Sequence, residues 1–317
     1  MKLYIKKTMA KTVLFRADSS SKIGTGHIMR DLVLAKKYQQ NNYKVIFATR
    51  NLIGNINNEI AMAGYQIKLL KSNKQSEITK IIQENNIDEI VIDHYQIDWK
   101  YEKEIKLKTN IRIVSFDDIY LKHHCDIIYN HNIYADKKKY KSLVPDNCII
   151  QCGSKYTLLR DEFITAKKSI LKNKKTKSIF IAMGGADTTN LNISILRTLE
   201  NISNLTIHIV TTTSNKNIKN LQQFIINKKS IHLHINSSHI ASILSKASIA
   251  IITPSVMANE VYYMNIPFIA IKTADNQKEM FKYCKKKKIP ILKKFNEKKL
   301  LQYTKILLKK VKNDFNH

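Results

Sequence analysis

The stretch TVLFRADSSSKIGTGHIMRDLVLAKKYQQ, residues 12–40, decides the fold class. It opens with a short apolar run that predicts a strand over Thr12–Arg16. A polar loop with two glycines follows. The apolar side chains of Ile28, Leu32, Ala35 and Tyr38 then recur at helical spacing, which predicts a helix over 27–40. A strand, a glycine turn and a helix in this order are typical of an open α/β sheet.

The alternation of strand and helix continues along the whole chain. Further strands are predicted at 44–48, 66–70, 89–93, 111–116 and 126–130, with helices at 77–85 and 98–108. The lysine-rich segment 166–177 lacks a strand signal and is interpreted as a linker. The pattern then restarts with strands at 178–183, 205–210, 231–235, 249–252 and 268–272, and with helices after Gly184-Gly185 and at 216–226, 238–245, 256–264, 277–286 and 296–312. The sequence therefore predicts two Rossmann-like domains, 1–165 and 166–317.

The composition limits the classes of function. The net charge of +29 suggests a polyanion partner, but only six of the 54 basic residues are Arg, the residue on which base readers depend. We interpret the lysine excess as compositional drift of the source genome and keep a polyanion-binding surface as the alternative. No apolar run is long enough to span a membrane, and MKLYIKKTMAK at the start lacks the apolar segment of a secretory signal. The four Cys form no CxxC pair, which favours reduced thiols and a cytoplasmic protein.

Glycines are scarce and unevenly placed. Four of the seven lie in the first strand-to-helix turn of the two halves, at positions Gly24, Gly26, Gly184 and Gly185. Such turns let a ligand approach backbone N–H groups at the positive end of a helix. Simple closure of tight turns is the alternative. The third glycine of a dinucleotide fingerprint and the Walker motif are both missing, so neither NAD nor a P-loop is supported.

His27 follows Gly26 at the first turn of the first helix. A helix N-terminus favours the neutral imidazole, the form that a general base needs. The alternative is a plain polar residue at a helix start.

Several motifs together resemble one known family. They are RADSSSKIGTGHIMRDLVLAKKY (16–38), IDHY (92–95), SFDD (115–118), HHCDIIYN (123–130), LVPDNCIIQCGSKYTLLRDEF (143–163), MGGADTTNL (183–191), SVMANE (255–260) and DNQKE (275–279). The chain resembles the UDP-2,4-diacetamido-2,4,6-trideoxy-β-L-altropyranose hydrolases of pseudaminic acid biosynthesis, which are related to MurG-type glycosyltransferases.

The resemblance implies a GT-B fold, with two Rossmann-like parallel-sheet domains facing across a cleft. It implies hydrolysis of a UDP-sugar with inversion at the anomeric carbon, with water as co-substrate and with neither a metal nor a cofactor. His27 in the first domain would be the catalytic base, and the second domain would bind UDP. The substrate-binding residues would be Gly24, Gly26, Tyr95, Arg160, Gly184, Gly185, Ser255, Asn259, Glu260, Asn276 and Gln277. Pro254 departs from the pattern, since it stands where MurG-type enzymes usually carry a glycine.

The residues agree with this chemistry. UDP leaves as a stable anion, so one base that activates water suffices where ordinary glycosidases need two carboxylates. The Gly184-Gly185 turn is expected to open a helix whose N–H groups stabilise the departing diphosphate. No Asp-x-Asp metal clamp occurs. The His123–Asp126 cluster matches no zinc spacing.

Some questions stay open at this level. Asp93, Asp117 and Asp118 end strands and are either near the reacting sugar or in structural hydrogen bonds. His232 and His234 are expected at the surface or partly packed. A glycosyltransferase of the same fold is the first alternative to the hydrolase, and a polyanion-binding protein is the second.

Overall fold

The computed structural model of the protein describes residues 10–168 and 177–314. Backbone contacts group them into two compact units. The first is the chain up to His131 together with Ala135–Leu158, and the second is Asn132–Tyr134 together with the chain from Leu159. The short segment Asn132–Tyr134 is thus flanked in sequence by residues of the first unit but belongs to the second. The boundary predicted between residues 165 and 166 lies a few residues later than this division.

Seven described strands form the sheet of the first unit, and all neighbours are parallel. In chain order they are β1 (Thr12–Ala17), β2 (Lys44–Arg50), β3 (Gln66–Leu70), β4 (Glu89–Asp93), β5 (Arg112–Phe116), β6 (Ile127–Asn130) and β7 (Ile149–Cys152). Across the sheet the order is β3-β2-β1-β4-β5-β6-β7. The winding direction switches between β1 and β4, and open α/β sheets bind ligands outside the carboxyl ends of the strands at such a point.

Helices pack against both faces of this sheet. They are α1 (Gly26–Gln40), α2 (Asn57–Met62), α3 (Gln75–Glu84) and α4 (Trp99–Thr109). Phe15 of β1 packs in one apolar cluster with Ile28 of α1, whereas its neighbour Leu14 packs in another with Ile78 of α3. Successive side chains of a strand point to opposite faces, so β1 contributes to both cores. Burial of each such side chain stabilises the fold by about 1.5–3 kcal/mol.

The second unit repeats the plan with six strands within its described residues, again all parallel. The strands are β8 (Lys177–Ala182), β9 (Leu205–Thr211), β10 (Ile231–Ile235), β11 (Ile249–Ile252), β12 (Phe268–Ile271) and β13 (Ile291–Leu292), in the order β10-β9-β8-β11-β12-β13. The helices are α5 (Asp161–Lys168), α6 (Leu191–Leu199), α7 (Ile218–Ile225), α8 (Ile240–Ser245), α9 (Val256–Tyr263), α10 (Lys278–Lys286) and α11 (Glu297–Asp314). The two Rossmann-like parallel sheets confirm the predicted α/β class.

The structure adds elements that the sequence pattern did not predict. They are α2, α5 and the edge strands β7 and β13. Of the predicted linker, residues 166–168 form the end of α5, Lys177 begins β8, and 169–176 lie outside the described residues. Within the described ranges, no helix combines the length and apolar character needed to cross a membrane.

Candidate active site

Four parallel strands of the first unit end at one edge of the sheet, and the residues that follow them meet there. His27 lies on α1 after β1, Asp93 ends β4, Asp118 follows β5 and His131 follows β6. The carboxyl ends of parallel strands share an edge, which explains why residues far apart in sequence converge.

His27 and Asp93 form a close pair. His27 Nδ1 lies 2.6 Å from Asp93 Oδ1, and both side chains are buried. Burial alone would raise the pKa of Asp93, but the charge of Arg30 and the hydrogen bonds from Arg30 and His27 outweigh it and hold that pKa well below its usual range. The ionised carboxylate therefore accepts the Nδ1 proton of His27. This tautomer leaves Nε2 with a free lone pair, which is the arrangement of a general base.

Arg30 fixes Asp93 from the other side. Its Nε donates to Asp93 Oδ2 at 2.6 Å and its Nη2 donates to Oδ1. Arg30 Nη2 also lies 3.2 Å from His27 Nδ1. Both nitrogens carry a proton in the tautomer above, so this contact is not a hydrogen bond. The guanidinium stacks over Phe116 with its carbon 5.0 Å from the ring centre. Because both oxygens of Asp93 accept hydrogen bonds from one buried guanidinium, this bidentate pairing fixes the orientation of the carboxylate.

Tyr95 stands at the open side of this cluster. Its hydroxyl donates to Asp118 Oδ2 at 2.8 Å, and its ring meets the His27 ring edge-on with centroids 4.9 Å apart. The residue is 42% exposed, whereas His27 is buried. The structure thus brings the exposed Tyr95 ring next to the buried imidazole of His27. Asp118 also receives Arg30 Nη1 at 3.3 Å.

The loop that delivers His27 is anchored by Asp18. This carboxylate is fully buried and accepts hydrogen bonds from Arg16 at 2.8 Å and from Arg50 Nε at 2.8 Å, with His94 Nε2 at 3.0 Å. Burial raises the pKa of Asp18, but the bonds from His94, Arg16 and Arg50 outweigh it and hold the pKa well below its usual range. The anchored loop positions the glycine turn ahead of α1.

Gly24 and Gly26 shape that turn. Gly24 has a φ of +86°, which a side chain rarely allows, and its N–H donates to the Ser20 carbonyl at 2.8 Å. Gly26 is the first residue of α1. The turn therefore places His27 in the first helical turn, as the sequence predicted.

In the second unit, Arg160 and Glu260 form an ion pair. Arg160 Nε donates to Glu260 Oε1 at 3.0 Å, and Arg160 also reaches Glu162 at 2.7 Å. Burial raises the pKa of Glu260, and the charge of Arg160 only partly opposes that rise. A buried carboxylate with one cationic partner is suited to accept hydrogen bonds from hydroxyl groups. Removing that partner would leave an uncompensated buried charge and destabilise the fold.

Two other predicted residues hold backbone. Asn259 is fully buried, accepts the N–H of Ile133 at 3.1 Å and donates to Asn132 Oδ1 at 3.0 Å. Gln277 accepts the N–H of Thr273 at 2.8 Å. Both side chains therefore order segments of the second unit in this structure.

The neighbours of these two residues differ in placement. Asn276 is exposed, and Ser255 precedes α9 with its Oγ 3.0 Å from Thr253 Oγ1.

The Gly184-Gly185 prediction needs a correction. Helix α6 begins at Leu191 rather than at the glycines, and the Asp187 carboxylate accepts the N–H groups of Leu191 and Asn192 at 3.0 Å each. An internal carboxylate thus already occupies the helix end that was expected to bind the diphosphate. Gly185 allows a close approach to the residue after β9, since a Cβ on it would lie 2.9 Å from Thr212 Cγ2, and Gly184 has a φ of +82°.

Clusters of metal-binding residue types have internal partners. His123 Nδ1 lies 2.8 Å from Glu102, and Asp126 receives Lys106 Nζ at 2.8 Å. His208 and His234 stack on neighbouring strands with ring nitrogens 3.1 Å apart. Among residues 10–168 and 177–314, no group of three or more His, Cys, Asp or Glu side chains has an arrangement that could hold a metal ion.

Comparison with known proteins decides the family. A UDP-2,4-diacetamido-2,4,6-trideoxy-β-L-altropyranose hydrolase of Campylobacter jejuni is 40% identical to this chain over 275 residues, which are 87% of this chain and 96% of that protein. The chain belongs to this hydrolase family. No family model matches it.

Solved structures support the fold of this hydrolase. MurG of Acinetobacter baumannii matches 97% of the chain and 95% of its own with a TM-score of 0.63 and 11% identity. The spinosyn rhamnosyltransferase SpnG matches 96% of both chains with a TM-score of 0.66 and 9% identity. Identities this low show the fold alone, and that fold is GT-B, as predicted.

Sequence reasoning about this hydrolase missed Arg30 and Asp18, and it left the role of Asp118 open. Arg30 follows His27 by three positions, so the two lie on one helical face. Arg is rare in this chain, and an Arg can bond a carboxylate through two N–H groups where a Lys cannot, so Arg30 was a signal that could have been used. Asp93 pairs with His27 and Arg30, whereas Asp117 accepts the N–H groups of Ile119 and Leu121.

Proposed function

We propose that this chain hydrolyses UDP-2,4-diacetamido-2,4,6-trideoxy-β-L-altropyranose and releases UDP. The hydrolase of Campylobacter jejuni at 40% identity supports the substrate. The observation that carries the reaction type is the His27–Asp93 pair, which holds an imidazole with its second nitrogen available as a base. Because the relative is a hydrolase, a glycosyltransferase activity is not favoured.

The chemistry follows from the pair. His27 Nε2 takes a proton from water as the water oxygen forms a bond to the anomeric carbon. The bond between that carbon and the UDP oxygen breaks, its electron pair leaves with UDP, and the configuration inverts. Asp93 stabilises the imidazolium that forms, as the carboxylate does in Ser-His-Asp hydrolases. Tyr95, next to His27, would contact the sugar.

Residues of the second unit are proposed to bind UDP. Glu260 would accept the ribose hydroxyls, and its partner Arg160 at 3.0 Å would favour the ionised form of the carboxylate. Gly184, Gly185 and Ser255 would lie along the nucleotide, and Asn276 and Gln277 would close the site. Asn259 would act indirectly, because its amide holds residues 132 and 133.

We propose that neither a metal nor a nucleic acid takes part. UDP is a stable leaving anion, so protonation by a second carboxylate is not required. A cytoplasmic location is also proposed, because the four Cys are free thiols.

The deciding experiment is incubation of the purified chain with this UDP-sugar and chromatographic detection of UDP. UDP-N-acetylglucosamine is the matched control nucleotide sugar. We expect the chain to release UDP from the diacetamido sugar nucleotide and little from UDP-N-acetylglucosamine. The rate on the first substrate should remain after EDTA treatment. Absence of UDP release would contradict the proposed hydrolysis. A loss of activity with EDTA that Mg²⁺ restores would contradict the proposal that no metal takes part.

A further inference from the structure

Tyr95 stands in a short turn after β4, and the mechanism above gives no role to the side chain that precedes it. The N–H of Ile97 closes this turn on the carbonyl of His94 at 3.0 Å. The side chain of His94 is only 6% exposed, whereas Tyr95 is 42% exposed. Asp118 accepts the hydroxyl of Tyr95 at 2.8 Å, which fixes the outer end of that side chain. The position of its backbone end depends on what holds the turn.

Both ring nitrogens of His94 are engaged, and they bond different parts of the first unit. The N–H of Gln96 donates to His94 Nδ1 at 3.1 Å, which is a bond within the turn. Nδ1 therefore carries no proton, and the proton of the imidazole is on Nε2. Nε2 donates it to Asp18 Oδ2 at 3.0 Å. The imidazole thus links the turn of Tyr95 to the carboxylate that anchors the loop of His27.

The surroundings of His94 favour this neutral ring. Burial lowers the pKa of His94, the hydrogen bond to Asp18 opposes that change, and the charges of Arg16 and Arg50 lower the pKa further. Asp18 already accepts hydrogen bonds from both Arg side chains at 2.8 Å. These two cations supply the counter-charge of the buried carboxylate, so a neutral imidazole is a sufficient third donor.

The residue on the other side of Tyr95 is connected to the same cluster. Asn73, in the loop after β3, donates from Nδ2 to Gln96 Oε1 at 2.7 Å, and its own Oδ1 accepts Arg16 Nη2. Arg16 in turn is the partner of Asp18. This outer connection passes through an exposed side chain. The buried bond from the imidazole lies in a lower dielectric and therefore contributes more to holding the turn.

We propose that His94 is a positioning residue for Tyr95: through Nε2 it ties the turn to Asp18 and so holds the tyrosine ring against His27. The contact that it maintains is the edge-on packing of the two rings, with centroids 4.9 Å apart. The inference rests on the proposed function, in which Tyr95 contacts the sugar beside the base. Without the tie, the turn keeps its internal bonds but can shift relative to the loop of His27.

Two substitutions each keep one of the two bonds. The Oδ1 of Asn takes the place of Nδ1, so His94→Asn keeps the acceptor for the N–H of Gln96 but does not reach Asp18. The Nε2 of Gln takes the place of the imidazole Nε2, so His94→Gln keeps the donor to Asp18. The value of kcat/KM for UDP release should fall about tenfold in the Asn variant and stay within about threefold of wild type in the Gln variant, since a misplacement of about 1 Å costs up to about 10²-fold.

The matched control is His232→Asn. His232 is an exposed residue of the second unit, on the edge strand β10. This variant should keep the wild-type kcat/KM.

A double-mutant cycle with Tyr95→Ala tests whether the effect of His94 passes through Tyr95. Tyr95→Ala should itself lower kcat/KM. In that background His94→Asn should change kcat/KM by less than about twofold, because the group that it positions is gone. A further loss of about tenfold in the double variant would overturn the proposal. Equal losses in the Asn and Gln variants, or an unchanged kcat/KM in Tyr95→Ala, would overturn it as well.

NMR of protein labelled with ¹⁵N at histidine works without turnover. At neutral pH the wild type should show a His94 ring, identified by its absence from His94→Gln, with a proton on Nε2 and none on Nδ1. A nuclear Overhauser effect between the ring protons of Tyr95 and His27 should be present in the wild type and lost in His94→Asn.

The NMR outcomes separate the two proposals. A proton on Nδ1 in the wild type would overturn the role of His94 even if the Asn variant does not fold, and so would an Overhauser effect that persists in that variant. Absence of UDP release with both NMR results as expected would refute the proposed function alone.

Discussion

Replacing Asp93 by Asn exchanges one carboxylate oxygen for an NH₂ group in the middle of three donors. His27 Nδ1, Arg30 Nε and Arg30 Nη2 all point at this carboxylate in the structure. An amide has one acceptor oxygen, so it cannot serve both edges of the Arg30 guanidinium and the imidazole together. At least one of these donors then faces another N–H group.

The size of the effect follows from burial. Arg30 is buried, and after the substitution its one remaining acidic partner among the described residues is Asp118, at 3.3 Å. Removing one member of a buried ion pair costs about 3–5 kcal/mol of folding free energy. The neutral imidazole of His27 also loses its fixed tautomer, and the imidazolium that forms loses its counter-charge, which together lower turnover by about 10²–10⁴-fold.

The assay combines kcat/KM for UDP release with urea unfolding, both at neutral pH. Asp98→Asn is the matched control, because Asp98 is an exposed acid that caps α4 through the N–H groups of Lys100 and Tyr101. Asn caps helices about as well as Asp, so this variant should stay within about 0.5 kcal/mol and near wild-type turnover. A folded Asp93→Asn protein that retained more than about a tenth of wild-type kcat/KM would refute the assignment of the pair.

Three further outcomes are expected. His27→Asn should lower kcat about 10²–10⁴-fold while calorimetry still detects UDP binding, and near-normal turnover would contradict its role as base. Hydrolysis in ¹⁸O-water should place the label on the sugar C1 hydroxyl, and mass spectrometry that found label in UDP or UMP would contradict attack at carbon. The folded-state pKa of Asp18 is lowered, so this carboxylate stabilises the fold at pH values above its unfolded-state pKa of about 3.9. The stabilisation is lost progressively as the pH falls from that value toward the folded-state pKa. Asp18→Asn should therefore be less stable than the wild type at neutral pH by about 3–5 kcal/mol, and the difference in urea unfolding should narrow toward pH 3; a constant difference would contradict the linkage.

The parallel sheets were predictable because their strands are buried on both faces. β11 is apolar throughout and β1 has the apolar run Val13–Phe15 at its centre, so both strands can be recognised from the sequence alone. The edge strand β7 is only partly buried, β13 has two residues, and α2 buries only Ile60, so each has a weak pattern.

The candidate site was predictable in part. His27 was proposed from the sequence because it follows a glycine turn at a helix start, and the structure places it there. Its partners were not assigned, since Arg30, Asp93 and Asp118 acquire their roles only when β4 and β5 lie beside β1. The helix after Gly184-Gly185 was placed too early because Asp187 ends the loop with a side-chain cap that periodicity does not reveal. The roles of the UDP-binding residues stay predictions.

The segment Asn132–Tyr134 has a consequence for exchanging halves between related enzymes. Ile133 and Tyr134 pack against the apolar cluster of the second unit, and Asn259 holds the backbone of Ile133 at 3.1 Å. A chimaera that exchanges only the residues after 158 would keep the native residues 132–134, which then pack against a second unit from another enzyme. The residue at position 259 of that unit would then have to bond the backbone of Ile133 as Asn259 does. An exchanged second unit must therefore be transferred together with a tripeptide at positions 132–134 that fits it.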